Sequence, residues 1–132
     1  ANGSFVHELC DSRTFCRNSD VALMQSKGLA LGGTLLNAVV VDGAEVLSPG
    51  GMRYVDEPVR HKMLDAMGDL ALAGGPIIGR YVGRRAGHTV TNKLLRKLFM
   101  QTASFRMIEC DLEMSQRLPG AGLVQEDTHI FA

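Results

Sequence analysis

The feature that most constrains the fold is an apolar run followed at once by a turn. The run Asn37-Ala38-Val39-Val40-Val41 is rich in β-branched residues, which favour an extended strand. Asp42-Gly43 follows it, and both residues can take the positive φ angles of a tight hairpin turn. A return strand is predicted through Glu45-Val46-Leu47. A chain with this hairpin must contain a β-sheet.

Helices are predicted on both sides of the hairpin. A short one is expected over residues 20–27, where Asp20 or Ser19 can cap its start and Gly28 its end. The main helix begins near Asp56 and stops at Gly74-Gly75-Pro76, and another runs from Thr89 to about Thr102. Further strands are expected over residues 4–9, 77–82 and 105–109. This order predicts an α+β sandwich of helices on one sheet.

Composition narrows the class of protein. A chain of 132 residues is large enough for one domain but not for two independent ones. Fourteen basic residues balance fourteen acidic ones, so net charge alone predicts neither nucleic acid nor a membrane surface as partner. No window is apolar enough to cross a bilayer. Three cysteines without a CxxC indicate a reduced, cytoplasmic setting, and the acidic segment 110–132 is expected to be a solvated tail.

One face of the main helix carries ionisable residues that could hold a metal. On a helical wheel that starts from His61, Asp65 lies at about 40°, Asp69 at about 80° and Lys62 at about 100°. Side chains four residues apart meet one turn along a helix, so His61 and Asp65 can offer two ligands to one ion. A catalytic zinc site needs three protein ligands, so this pair is incomplete. The alternative is a solvated face with a His–Asp pair.

His88 is a candidate acid at the start of the next helix. A histidine in that role needs a carboxylate partner, and Asp69 is available for it. The alternative is a partly exposed histidine at the start of a helix that has no catalytic role.

A run of basic residues without an intervening acid permits a different function. Together with Arg60 and Lys62, the run could bind the phosphates of RNA or of a nucleotide, which would make the chain a basic-faced α+β binding module. A solvated basic surface, whose positive charge is balanced by the acidic tail, explains these residues equally well. The residues are Arg80, Arg84, Arg85, Lys93, Arg96 and Lys97.

Three blocks of sequence resemble one enzyme family. They are Ser12-Arg13-Thr14-Phe15 with the segment from Gln25 to Val41, the block from Arg60 to Leu70 (RHKMLDAMGDL), and Gly87-His88 with Asn92-Lys93-Leu94-Leu95. Together they are similar to the UDP-3-O-acyl-N-acetylglucosamine deacetylases of lipid A biosynthesis. The resemblance covers nearly the whole chain.

The resemblance implies a fold and a reaction. Members of this family are two-domain zinc hydrolases, each domain a β-α-α-β sandwich, with the active site between the domains. They remove the N-acetyl group from a UDP-linked glucosamine that carries a 3-O-hydroxyacyl chain. The expected fold is therefore a two-layer β-α-α-β sandwich with a small βαβ insert, here residues 17–41, that forms the passage for the acyl chain.

The resemblance also implies roles for individual residues. His61 and Asp65 would be two of three zinc ligands, and His88 the general acid or electrostatic partner with Asp69 beside it. The substrate-binding residues would be Lys62 at the polar head, Thr14 and Phe15 near the sugar and acyl linkage, and Val21, Ala30 and Asn37 on the acyl passage. Asn37 departs from the apolar character of such a wall.

One departure from the family pattern concerns the rest of the site. The third zinc ligand and the general base come from an adjacent Glu-His pair in the family's first domain, and this sequence has no such pair. Residues 1–132 are therefore expected to be most of the second domain of a longer enzyme. The expected partners are the UDP-linked substrate and the missing first domain, with no nucleic acid and no transmembrane segment. The chain alone is expected to carry half a site and to be inactive.

Overall fold

The computed structural model describes residues 5–117, which divide into two compact units. The sheet unit is Asp11–His61, and the described residues of the helical unit are 5–10 and 62–117. Helices and a small mixed sheet are both present, which confirms the α+β class.

The sheet unit is built on three strands in the order β1-β2-β3. Strand β1 (Thr14–Arg17) pairs in parallel with β2 (Ala38–Asp42), and β2 pairs antiparallel with β3 (Glu45–Val46). Helix α1 (Asn18–Ser26) lies between β1 and β2 in the chain, so these three elements form a βαβ unit. The predicted hairpin is confirmed, but its turn lies one residue later than expected. Asp42 is the last residue of β2 and pairs with Glu45, so the turn is Gly43-Ala44, and Gly43 at φ 58° takes a positive φ whereas Asp42 does not.

The core of this unit lies on β2, where Ala38, Val39 and Val40 are buried. The buried Ser48 hydroxyl continues the pattern of strand hydrogen bonds beside them. Its Oγ donates to the Ala38 carbonyl oxygen at 2.6 Å and accepts from the Val40 N–H at 2.9 Å. One hydroxyl therefore satisfies two backbone groups that would otherwise be buried without a partner.

Both longer helices form close to where the sequence predicts them. Helix α2 spans Glu57–Ala71 and helix α3 spans His88–Met100, where Thr91 and Leu95, one turn apart, are buried. A 3-10 turn follows at Thr102–Ser104, and the ring of Phe105 meets that of Phe99 edge-on at 5.3 Å between centroids.

Three predicted strands are wrong. Residues 5–9 form a π-helical turn, closed by the Cys10 N–H donating to the Phe5 carbonyl oxygen at 2.9 Å. Residues 77–82 and 105–109 have no regular secondary structure. A short apolar run becomes a strand only where a second strand offers it hydrogen bonds, and sequence pattern alone cannot supply that partner. Helix α4 (Leu112–Arg117) begins the predicted acidic tail, most of which lies outside the described residues.

The two carboxylates on the charged face of α2 are less exposed than the methionines of its apolar stripe, which consists of Met63, Leu64, Ala66, Met67, Leu70 and Ala71. The side chains of Asp65 and Asp69 are 16% and 12% exposed, whereas Met63 and Met67 are 52% and 47% exposed. Within the stripe, Ala66 is buried. The description of the ionisable face as solvated is therefore wrong for its two carboxylates.

Candidate active site

The helical unit brings His88 and Asp69 together. Nδ1 of His88 lies 2.9 Å from Oδ1 and 3.0 Å from Oδ2 of Asp69, so the Nδ1–H donates to the carboxylate. The second ring nitrogen, Nε2, is 3.8 Å from Oδ1 of Asp65. The predicted pairing of His88 with Asp69 is present, and a second carboxylate stands on the other side of the ring.

The two helices explain this arrangement. Asp65 and Asp69 are four residues apart on α2, which places their carboxylates on one side of the helix, one turn apart. His88 is the first residue of α3 and follows Gly87, which is fully extended at φ −174° and ψ 172°. Asn92, one turn further along α3, donates from Nδ2 to the His88 carbonyl oxygen at 2.9 Å and holds this end of the helix.

The histidine and the two carboxylates of this site differ in how exposed their side chains are, so they can play different roles. The His88 side chain is 67% exposed, so a ligand can reach Nε2, while both carboxylates are mostly buried. Nζ of Lys62 lies 3.8 Å from Oδ2 of Asp65, and the Lys62 side chain is 43% exposed. An exposed imidazole held by a buried carboxylate can give or take a proton while its orientation stays constant.

The sheet unit orients His61, the predicted metal ligand. Its Nδ1 is 3.0 Å from the backbone carbonyl oxygen of Ser12. A carbonyl only accepts hydrogen bonds, so Nδ1 carries the proton in the neutral ring and Nε2 keeps its lone pair. This is how metal-binding histidines are usually oriented, because a second partner holds the nitrogen that does not ligate.

The donor chemistry of His61 and Asp65 fits zinc. An imidazole and a carboxylate four residues apart on α2 are ordinary zinc ligands. Within residues 5–117, no three His, Cys, Asp or Glu side chains come together as a metal site.

Glu57 was not singled out from the sequence, yet its carboxylate is fully buried. Burial alone raises the pKa of this carboxyl group. Hydrogen bonds from the Arg13 side chain and from the N–H groups of Arg13 and Arg53 outweigh that effect and lower the pKa to about 2. The same ion pair raises the pKa of Arg13. The available signal was spacing, because Glu57 lies four residues before His61 on α2.

A cavity of about 340 Å³ lies within the sheet unit. Its lining includes four of the predicted substrate residues, Thr14, Phe15, Val21 and Ala30. Most of the remaining lining comes from α1, from the loop after it and from β2. A cavity of this size is at the lower end of the range for small-ligand sites.

Asn37 is outside this lining and holds the loop that precedes β2. Its Oδ1 accepts from the Thr34 N–H at 2.7 Å, and its Nδ2 donates to the Gly32 carbonyl oxygen at 3.0 Å. The loop contains Ala30 at φ 55°, a left-handed conformation that is unusual for a residue with a side chain. An amide at position 37 therefore has a structural use that an apolar residue could not supply.

The six basic residues of the predicted phosphate-binding run are all exposed. The three cysteines are free thiols, of which Cys110 is exposed while Cys10 and Cys16 are half-buried. In the part of the chain that the structure describes, no helix is both long and apolar enough to cross a membrane.

Fold and side chains together define an α+β protein with an Asp–His dyad, flanked by a second carboxylate. Comparison with known proteins identifies the family. Residues 1–100 match the family described as LpxC: UDP-3-O-acyl N-acetylglycosamine deacetylase. The chain belongs to this family, which confirms the resemblance found in the sequence.

Curated relatives agree with this assignment. The UDP-3-O-acyl-N-acetylglucosamine deacetylase of Neisseria meningitidis serogroup A is 44% identical over 109 residues, which are 83% of this chain and 36% of that protein. The enzyme of the same name from Alcanivorax borkumensis is 46% identical over 105 residues, 80% of this chain and 34% of that protein. The enzyme of that name from Bdellovibrio bacteriovorus is 44% identical over 115 residues, 87% of this chain and 38% of that protein. The chain therefore spans little more than a third of the length of these relatives.

Proposed function

We propose that the full-length protein is a zinc-dependent amide hydrolase that removes the N-acetyl group from UDP-3-O-acyl-N-acetylglucosamine in lipid A biosynthesis. The observation that carries the proposal is the His88–Asp69 dyad beside Asp65, found in a chain of the deacetylase family. The substrate comes from the names of the relatives, which are UDP-3-O-acyl-N-acetylglucosamine deacetylases.

His61 and Asp65 hold the zinc ion in this proposal. His61 offers Nε2, since Nδ1 is engaged by the Ser12 carbonyl oxygen, and Asp65 offers a carboxylate oxygen one helical turn further along α2. When bound, zinc polarises the acetamide carbonyl group and makes water a better nucleophile at neutral pH. The remaining ligand and the general base come from outside the described residues, so this chain carries about half of the active site and is inactive alone.

His88 supplies the acid half of the reaction. The Asp69 carboxylate holds Nδ1–H and thereby directs Nε2 of the same ring toward the reacting group. A protonated Nε2 can stabilise negative charge on the amide oxygen and give its proton to the departing amine. Because Asp69 already holds the ring in one orientation, little entropy is lost in orienting it when the proton is transferred.

The cavity of the sheet unit is proposed as part of the passage for the 3-O-acyl chain. Val21 and Ala30 contribute apolar surface to it, and Thr14 and Phe15 contribute the end formed by β1. Asn37 shapes this passage by holding the loop that carries Ala30. Lys62 binds the anionic head of the substrate through its exposed ammonium group.

The finer points of architecture and setting belong to the same proposal. The α+β elements form a two-layer β-α-α-β sandwich with residues 17–41 as its insert, and another domain of the full-length enzyme completes the site. Three free thiols support a cytoplasmic location, where cysteines stay reduced.

The test is acetate release from UDP-3-O-(3-hydroxyacyl)-N-acetylglucosamine by the purified full-length protein. We expect activity that a chelator abolishes and that stoichiometric zinc restores. Full activity in protein shown by elemental analysis to be free of metal would contradict the zinc proposal. No acetate release by the zinc-loaded protein would contradict the assigned reaction.

A further inference from the structure

One peptide group is held at both ends by residues of helix α2. The N–H of Arg13 donates to Oε1 of Glu57 at 2.9 Å. The carbonyl oxygen of Ser12, in the same peptide group, lies 3.0 Å from Nδ1 of His61. Glu57 and His61 are four residues apart, so one turn of α2 holds the Ser12–Arg13 peptide between a carboxylate and an imidazole.

The carboxylate end of this arrangement is rigid. Glu57 is fully buried, and Arg13 and Ser12 are 8% and 5% exposed. The Glu57 carboxylate also accepts from Nε and Nη2 of Arg13 at 2.9 and 3.1 Å, and from the Arg53 N–H at 2.7 Å. Nη2 of Arg13 in turn donates to the Gly51 carbonyl oxygen at 2.6 Å. Together with the bond from the Arg13 N–H to Oε1, these make five hydrogen bonds that hold Arg13 and Glu57 in place. They thereby fix the direction of the Arg13 N–H.

Fixing that N–H also fixes the carbonyl oxygen to which His61 is bound. The peptide group is planar, so its N–H and C=O directions cannot turn independently. A hydrogen bond from the N–H to a charged carboxylate also polarises the group and makes its carbonyl oxygen a stronger acceptor. A stronger acceptor favours the tautomer of His61 with its proton on Nδ1, which leaves the lone pair on Nε2.

We propose that Glu57 is a positioning residue that acts through the Ser12–Arg13 peptide group to hold His61 in the tautomer and orientation that bind a metal ion. In many metal sites a carboxylate accepts a hydrogen bond from the ligating histidine and orients its ring. Here a peptide group lies between the carboxylate and the histidine and connects the two. The consequence for zinc rests on the proposed function, in which His61 is a ligand. The consequence for the tautomer does not depend on it.

The first test measures the tautomer of His61 by ¹⁵N NMR in the metal-free full-length protein, at about pH 8, where an ordinary imidazole is neutral. The His61 signals are assigned by their loss in His61→Gln. We expect the proton on Nδ1 in the wild-type protein. A neutral His61 with its proton on Nε2 would overturn the proposal. Because this measurement needs no variant of Glu57, it can overturn the proposal even if such variants do not fold.

The second test compares zinc affinity, by competition with a chelator, between Glu57→Ala and Asp56→Asn. Asp56 is the matched control because it is the adjacent carboxylate and pairs with Arg60 at 2.7 Å instead of with the Ser12–Arg13 peptide. We expect Glu57→Ala to weaken zinc binding ~10–100-fold, the usual range for an outer partner of a ligand, and Asp56→Asn to leave it unchanged. Glu57→Gln keeps an acceptor for the Arg13 N–H and should recover part of the loss.

Two results contradict the proposal in this second test. One is folded Glu57→Ala with wild-type zinc affinity, and the other is equal weakening by Asp56→Asn. If the wild-type protein binds no zinc, the proposed function fails, while a neutral, metal-free His61 with its proton on Nε2 would still overturn the role given to Glu57.

Discussion

Both carboxylate oxygens of Asp69 lie within 3.0 Å of Nδ1 of His88. The contact joins the last part of α2 to the first residue of α3, nineteen positions along the chain. In the proposed function, this contact leaves Nε2 as the nitrogen that meets the substrate, and Asp69 holds the ring.

Replacing His88 should impair chemistry and spare the metal. We expect His88→Ala in the full-length protein to lower kcat by ~10²–10⁴-fold, because the acid for the leaving amine is lost. Zinc content, measured by elemental analysis, should stay at the wild-type level. Arg96→Ala, an exposed change on the same helix, is the control and should leave kcat unchanged. Loss of zinc from His88→Ala would show that the assigned roles are wrong.

Replacing Asp65 should have the opposite pattern. We expect Asp65→Ala to weaken zinc binding by more than the ~10–100-fold that loss of an outer partner costs, because a direct ligand is removed. Chelator competition measures the affinity, and Asp56→Ala serves as a control that removes a carboxylate close to the start of the same helix. Wild-type affinity in Asp65→Ala would exclude this residue as a ligand.

Narrowing the cavity should discriminate between substrates by acyl-chain length. Val21 on α1 lines the cavity, so Val21→Phe fills part of its volume. Each methylene of the acyl chain that stays out of the cavity loses about 0.8 kcal/mol, so three lost methylenes weaken binding about fiftyfold. We expect KM to rise for a long-chain substrate and to stay unchanged for a truncated one. Leu23→Phe, a change at an exposed position of the same helix, is the control. Equal losses for both substrates would show that Val21 supports the fold and does not contact the acyl chain.

Ala30 is less suitable for enlargement, because its φ of 55° strains any larger side chain. Its conformation predicts an effect on stability. A left-handed residue with a Cβ atom costs about 1 kcal/mol relative to glycine, so Ala30→Gly should raise the free energy of unfolding by up to that amount. Denaturant unfolding measures it, and Ala22→Gly, inside helix α1, should destabilise. A loss of stability in Ala30→Gly would contradict this interpretation of the loop.

The environment of Glu57 predicts a specific acid sensitivity. Its pKa is about 2 in the folded protein against an ordinary value of 4.5. The unfolded state therefore binds the proton more readily, and the stabilisation is complete above about pH 4.5 and is lost as the pH falls toward 2. Glu57→Gln should flatten the dependence of unfolding free energy on pH in this window. An unchanged slope would show that other carboxyl groups dominate it.

Local pattern was sufficient for several elements. The β2–β3 hairpin with Gly43 in its turn, helix α1 closed by Gly28 at φ 71°, and helices α2 and α3 all follow from β-branched runs, glycines and helical periodicity. Each of these elements satisfies its backbone hydrogen bonds within itself or with its neighbour in sequence. The strands expected over residues 77–82 and 105–109 did not form, because a strand needs a partner that a local pattern does not specify.

Helical periodicity is enough to tell which ionisable groups share one side of α2, since positions four apart on a helix must be neighbours. The tertiary structure sets which other groups they contact. It buried Asp65 and Asp69 more deeply than the methionines of the apolar stripe, placed Nδ1 of His88 on Asp69, and set the Ser12–Arg13 peptide between Glu57 and His61. These contacts join residues 19 to 49 positions apart. Their geometry depends on how separate segments pack, which periodicity along one segment does not encode.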